Sequence, residues 1–91
     1  MQSAALVTGA SSGIGAEIAR ELHRRGGHVV LVARRADRLA ELAAELGDRA
    51  CVVPTDLSRP AERASLPDRV AALGLQIDTL VNNAGLAVMG P

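Results

Sequence analysis

Short apolar runs alternate with segments whose apolar residues recur at helical spacing, and this alternation constrains the fold more than any single residue does. Ala4 to Thr8 is apolar and β-compatible, and Gly9 to Gly13 breaks it. From Ile14 to Arg25, the residues Ile14, Ile18, Ala19 and Leu22 repeat at a helical period, with Glu17, Arg20, Glu21 and Arg24 opposite. Gly26-Gly27 stops that helix where a C-terminal glycine is expected. His28 to Ala33 holds the continuous run Val29-Val30-Leu31-Val32, which suits a strand covered on both faces. Asp37 is the expected N-cap of a second helix, with Leu39, Leu42, Ala43 and Leu46 on one face and Gly47 at its end. Ala50 to Pro54 reads as a third strand and Ile77 to Asn82 as a fourth. Between them, Arg59 to Leu73 has a helical composition, but Pro67 would break an interior turn. Two short pieces or a late helix start are expected there.

A helix between each pair of successive strands predicts a parallel sheet with right-handed crossovers and helices on both faces. The 91 residues allow one domain at most. Chains of this size bury only about 60–65% of their unfolded surface, so the stability margin is thin. The apolar content of 48% is ample for a core and argues against disorder. Without Phe, Tyr or Trp, that core must be built from Ala, Leu, Val and Ile. Gly90-Pro91 follows closely on the fourth strand, where a loop into another helix is expected. The chain is therefore expected to be a truncated portion of a longer one.

Composition excludes several classes of partner. Ten arginines balance ten acidic side chains for a net charge of zero, giving no broad electrostatic reason for a nucleic acid or a membrane. No apolar run approaches the ~20 residues of a membrane span. Met1 leads almost directly into strand-like sequence, without the basic and long apolar regions of a secretion signal, so a soluble cytoplasmic protein is expected. The lone Cys51 cannot form an internal disulfide and reads as a buried strand residue. His23 and His28 flank Gly26-Gly27 without the acid or cysteine spacing of a metal pair, so no metal site is expected.

The most informative segment is Thr8-Gly9-Ala10-Ser11-Ser12-Gly13-Ile14-Gly15, where the first strand turns into the first helix. Gly9 permits a sharp turn off the strand end. Gly13 and Gly15 remove side chains where a phosphate or the packed strand must approach the helix. Amide groups at the helix start, at its positive dipole end, make an anion site suited to a pyrophosphate, and Ser11 and Ser12 can add hydroxyl donors. An ordinary tight turn is the competing reading. The spacing is Gly-x-x-x-Gly-x-Gly rather than the common dinucleotide fingerprint. It also has one residue too many for a hydrolase nucleophile elbow.

With the Thr-Gly-x-x-x-Gly-Ile-Gly turn, Asp56-Leu57 after the third strand and Asn82-Asn83-Ala84-Gly85 after the fourth, the chain resembles the short-chain dehydrogenase/reductase family. The resemblance covers roughly the family's first third. It implies a partial Rossmann fold, an α/β architecture with a four-stranded parallel sheet in the order 3-2-1-4. Residues 1–91 would then be the N-terminal part of a single NAD(P)-binding domain. By the same resemblance, Gly9, Ser11, Ser12, Gly13, Ile14 and Gly15 line the pyrophosphate and adenosine ribose. Asp56 accepts from the adenine amino group with the Leu57 backbone beside it, and Asn83, Ala84 and Gly85 pass the ribose rings. Asn82 is expected to brace the sheet instead. For Asp56, a turn or helix cap before Ser58-Arg59-Pro60 remains the alternative.

The end of the second strand bears on the choice of cofactor. An NAD site usually places an acid there to accept from the ribose 2′-hydroxyl. Here Ala33 is followed by Arg34-Arg35, and a guanidinium binds a 2′-phosphate through charge-assisted hydrogen bonds. NADP is therefore expected over NAD, with two solvated surface arginines as the alternative. The resemblance further implies hydride transfer between the nicotinamide and a carbonyl or alcohol substrate in a homo-oligomeric parent. The family's chemistry uses a Tyr four residues before a Lys, and this chain contains neither. No catalytic residue is assigned within it, and residues 1–91 alone are expected to be inactive. The competing view is a stand-alone, non-catalytic dinucleotide-binding or assembly module.

Overall fold

Val29, Val30, Leu31 and Val32 are all fully buried, as a strand sandwiched between two layers must be. A computed structural model describes residues 2–10, 13–34 and 36–82. In chain order the elements are β1 (Gln2–Thr8), α1 (Gly13–Arg24), β2 (His28–Val32), α2 (Ala36–Leu46), β3 (Ala50–Val52), α3 (Pro60–Ala71) and β4 (Leu75–Asn82). The strands form one sheet in the order β3-β2-β1-β4, as expected. Every pairing is parallel: β1 runs beside β2 from Ala4↔His28 to Thr8↔Val32, and beside β4 from Gln2↔Leu75 to Thr8↔Asn82. The β1–β4 register shifts between Ala4 and Ala5, where β4 passes from Ile77 to Thr79 and so carries Asp78 as an extra residue.

Successive strand residues face opposite sides, and the core divides accordingly. Ala4, Leu6, Val30, Val32 and Val53 face Leu66 and Val70 of α3. Val7, Val29 and Leu31 face Ala19 of α1 together with Leu39 and Leu42 of α2. Helices thus cover both faces. Along α1, Arg24 and Arg25 pair with Glu21 at i,i+3 and i,i+4, as expected of a solvated exterior. Arg20 does something less local. Its guanidinium forks onto Glu45 of α2, with Nε 2.5 Å from Oε2 and Nη2 3.1 Å from Oε1. Gly26 ends α1 at a φ of 95°, its N–H donating to the His23 carbonyl. Cys51 is half-buried in β3, and burial pushes its thiol pKa up, away from reactive thiolate. Among the described residues, no helix is long and apolar enough to cross a membrane.

Three local expectations are corrected. Asp37 does not cap α2, because the helix already begins at Ala36; it lies in the first turn, where an acid still complements the dipole. β3 stops at Val52 instead of reaching Pro54, although Val53 N–H still donates to the Leu31 carbonyl at 2.9 Å. Most clearly, α3 is a single helix that runs through Pro67. An interior proline costs about 3 kcal/mol through its missing N–H and ring clash. Leu66 and Val70 on either side are buried, and fully burying each is worth roughly 1.5–3 kcal/mol, enough to offset that cost. Pro67 and Arg63, whose carbonyl loses its donor, both lie on the exposed side. Pro60, by contrast, sits at the helix start, where no donor is needed.

Replacing Pro67 by Ala should therefore raise stability by about 1–2 kcal/mol, part of the helix penalty being cancelled by the looser unfolded chain. Urea titration reads this directly, and an unchanged or lower midpoint would contradict the account of α3.

Candidate functional site

Parallel strands all finish at one edge of the sheet, and the loops leaving that edge carry the polar features. The strand order reverses beside β1, since β2 and β3 extend to one side while the chain returns to place β4 on the other. Open α/β sheets bind ligands in the crevice at such a reversal.

Off β1, Gly9 takes a φ of 64°, the left-handed conformation that the turn needs. The buried Ala10 donates its N–H to the Val32 carbonyl at 3.4 Å, tying the turn to the end of β2. α1 then opens at Gly13. Gly13 and Ile14 are exposed, Ile14 to 60%, while Gly15 is buried. Among the described residues, a Cβ built on Gly13 would meet nothing within 4 Å. The first turn of α1 contains no acid, and its last turn carries His23 and Arg24. The positive end of the helix dipole is thus uncompensated by the helix's own side chains. Ser11 and Ser12, also expected here, lie outside the described residues.

Between β1 and β4, the buried Thr8 hydroxyl faces both the Val81 carbonyl at 3.3 Å and Asn82 Oδ1 at 3.1 Å. One hydroxyl proton serves both only as a three-centre bond. Asn82 braces the sheet, as expected. Asn83, Ala84 and Gly85 lie outside the described residues.

Across β2, Arg34 is exposed immediately beyond the strand, and its neighbour Arg35 lies outside the described residues. Ala33 is buried, and its carbonyl accepts from Thr55 N–H at 3.0 Å. Asp56 follows, partly covered, with Oδ1 accepting from Ser58 N–H at 3.0 Å and from the Ser58 hydroxyl at 2.5 Å. This is the turn-capping arrangement weighed above as the alternative for Asp56. It occupies one carboxylate oxygen and leaves Oδ2 without a hydrogen bond among the described residues. The bonds from the Ser58 hydroxyl and N–H hold the Asp56 carboxyl below its ordinary range, helped by the nearby charges of Arg34 and Arg59 and opposed by desolvation. Leu57 packs its side chain against the α3-side core, and its carbonyl accepts from Arg63 Nη1 at 2.9 Å.

Three residues that hold this loop, Thr55 within it and Glu62 and Arg69 on α3, were not singled out from the sequence. Glu62 Oε1 accepts from Asp56 N–H at 2.8 Å. Glu62 stands in the first turn of α3, where an acid is common, but its reach back to Asp56 rather than to the N-cap Arg59 has no sequence signal. Thr55 is buried, and Arg69 Nη2 donates to its hydroxyl and, at 2.9 Å, to the Pro54 carbonyl. No local pattern announces a contact fourteen residues apart along the chain.

A depressed folded-state pKa means that the Asp56 carboxylate contributes stability above its unfolded value, near 3.8, and that this is lost as pH falls through the lower folded value. Asp56→Asn should therefore be less stable than the parent at neutral pH, with the gap closing below about pH 4. Thermal unfolding from pH 7 to pH 2 checks this, and a gap constant with pH would rule out the charge as its source.

Comparison with known proteins agrees with this geometry. The family model for short chain dehydrogenase matches residues 3–91. Nodulation protein G of Rhizobium sp. (strain N33) is 49% identical over 86 residues, covering 94% of this chain and 35% of that protein. The NADP-dependent 3-hydroxy acid dehydrogenase YdfG of Escherichia coli (strain K12) is 42% identical over 86 residues, covering 91% of this chain and 34% of its own. Among solved structures, the Pseudomonas aeruginosa RhlG/NADP active-site complex superposes with a TM-score of 0.80 at 40% identity, over 89% of this chain and 34% of that one. The chain thus spans about a third of the length of the relatives it matches. With sheet order, strand-end loops and sequence all in agreement, the chain belongs to the short-chain dehydrogenase family.

Proposed function

We propose that this chain is the N-terminal part of a single dinucleotide-binding domain and holds NADP(H) along the carboxyl edge of its sheet. The observation that carries the reading is the start of α1. Gly13 does not take a positive φ, and nothing in the described structure crowds its missing Cβ, so neither backbone strain nor packing calls for glycine there. An anion drawn close to the helix amides does. The absence of acid in that first turn leaves the charge of a pyrophosphate to complement the dipole.

The remaining roles follow the edge. Gly9 and Gly15 shape the turn, with Ser11, Ser12 and Ile14 beside the pyrophosphate and ribose. Arg34, with Arg35 after it, binds the 2′-phosphate. Asp56 receives the adenine amino group on the oxygen its turn leaves open, with the Leu57 backbone alongside. Asn83, Ala84 and Gly85 pass the ribose rings. NADP is favoured over NAD because no acid stands at the end of β2 to repel a 2′-phosphate. Relatives described as NADP-dependent or solved with NADP support this preference.

When bound, the cofactor supplies hydride exchange with a carbonyl or alcohol carbon. This chain's part is to bind and orient the adenosine half. It has no Tyr and no Lys for the proton transfer of its family, so residues 1–91 alone bind without turnover. The parent is proposed to be a cytoplasmic homo-oligomer.

Two substitutions test the reading. Gly13→Val places its side chain in open space, so the unfolding midpoint without cofactor should hold while NADPH affinity falls by at least about tenfold. Equal affinity would return the segment to an ordinary tight turn. Arg34→Asp should shift the NADPH/NADH affinity ratio by about tenfold or more toward NADH, the worth of a charge-assisted hydrogen bond. An unmoved ratio would leave Arg34 a solvated surface residue.

A further inference from the structure

The loop carrying Asp56 is held from behind by α3, through the half-buried side chain of Arg69. Arg69 Nη2 donates to the Pro54 carbonyl at 2.9 Å and to the Thr55 hydroxyl. That hydroxyl passes its own proton to the Val53 carbonyl at 3.1 Å, so its donor and acceptor roles are both used. The Thr55 N–H donates to the Ala33 carbonyl at 3.0 Å, one residue before Arg34. One buried threonine, 2% exposed, therefore directly precedes Asp56 and is bonded to the residue that directly precedes Arg34. Glu62, also on α3, takes the Asp56 N–H at 2.8 Å. Among the described residues, Arg69 Nε is buried without a hydrogen-bond partner, a cost that a residue serving only as a surface tie would avoid by turning outward.

We infer that Arg69 is a positioning residue for the adenosine end of the cofactor site, holding Asp56 and Arg34 at a set spacing through Thr55. The inference rests on the assignment of Asp56 to adenine and Arg34 to the 2′-phosphate. The adenine amino group and the 2′-phosphate are fixed relative to each other within one rigid nucleoside, so the carboxylate and the guanidinium must match that spacing. Neither side chain is anchored in the core, since both lie on strand-end loops. Thr55 is anchored, and Arg69 locks its hydroxyl from the helix side. Arg69 touches no cofactor atom in this account; it acts through the backbone of residues 54–56.

The test compares NADPH with its analogue bearing hypoxanthine in place of adenine, in which a carbonyl replaces the amino donor. The unaltered protein should prefer NADPH by about tenfold, the worth of a hydrogen bond to a charged acceptor. Arg69→Met should cut that preference to about twofold or less, and the NADPH/NADH ratio should fall with it. Arg69→Lys, still able to donate to Thr55, should retain most of both. If Arg69→Met does not fold, Thr55→Val removes the same link while keeping a similar shape and should lose the same preference. A full preference in either variant, with only the unfolding midpoint lowered, would overturn the positioning role. No preference in the unaltered protein would instead overturn the adenine assignment, and the inference with it.

Discussion

The parallel pairing of β1 with both β2 and β4 is the constraint on which the rest depends. Parallel neighbours cannot be joined by a hairpin, so each strand must be reached by a crossover long enough for a helix. The helices then cover both faces of the sheet, and β2 is buried throughout its apolar run. The same pairing sends every strand's carboxyl end to one edge. Open α/β sheets bind ligands at that edge, where the loops are free of ladder hydrogen bonding yet rooted in paired strands.

That rooting is explicit and polar. Thr8 links β1 to the end of β4, the Ala10 amide links the glycine turn to Val32, and the Thr55 amide links the Asp56 loop to Ala33. The first joins two strand ends, and the other two join a strand-end loop to the end of the neighbouring strand. A buried hydroxyl or amide must be satisfied, and here the nearest partners belong to neighbouring strand ends. Satisfying the backbone at this edge and fixing the relative positions of the loops are therefore one physical event. Small polar side chains at strand ends, such as Thr8 and Thr55, do this where a bulkier residue would push the loops apart.

Much of the fold was legible because it depends on local periodicity. The run at 29–32 suited a doubly covered strand, and the spacing of Leu39 and Leu42 chose the face of α2 that is now buried. The glycine turn was legible for a related reason: Gly9 at a positive φ is a backbone requirement that glycine meets without strain. What escaped the sequence depends on tertiary packing. Pro67 reads as a helix breaker until Leu66 and Val70 are seen anchored on the sheet. The fork of Arg20 onto Glu45 requires the α1–α2 approach, and the grip of Arg69 on Thr55 requires the crossing of α3 over the sheet. For Asp56 both readings draw on the same group: one oxygen caps the turn, and the other is the one proposed for adenine.

A net charge of zero conceals how charge is arranged at the carboxyl edge. α2 has Asp37 in its first turn, so its dipole is met from within the chain, whereas α1 has no acid there. Of the three helices starting at this edge, only α1 has no acid in its first turn, leaving its positive end for an outside anion. Arg34 and Asp56 extend the arrangement sideways, near enough for the guanidinium to lower the carboxyl's pKa. Such a pair partly neutralises itself in solvent, so neither member draws a ligand strongly by net charge. A ligand carrying an anion and a hydrogen-bond donor at matching separation can engage both at once, while one with a single feature leaves the other charge in its original balance. On the proposed assignment of Arg34 and Asp56, selectivity at this edge then depends on spacing as well as on charge, and the spacing is held by buried backbone bonds.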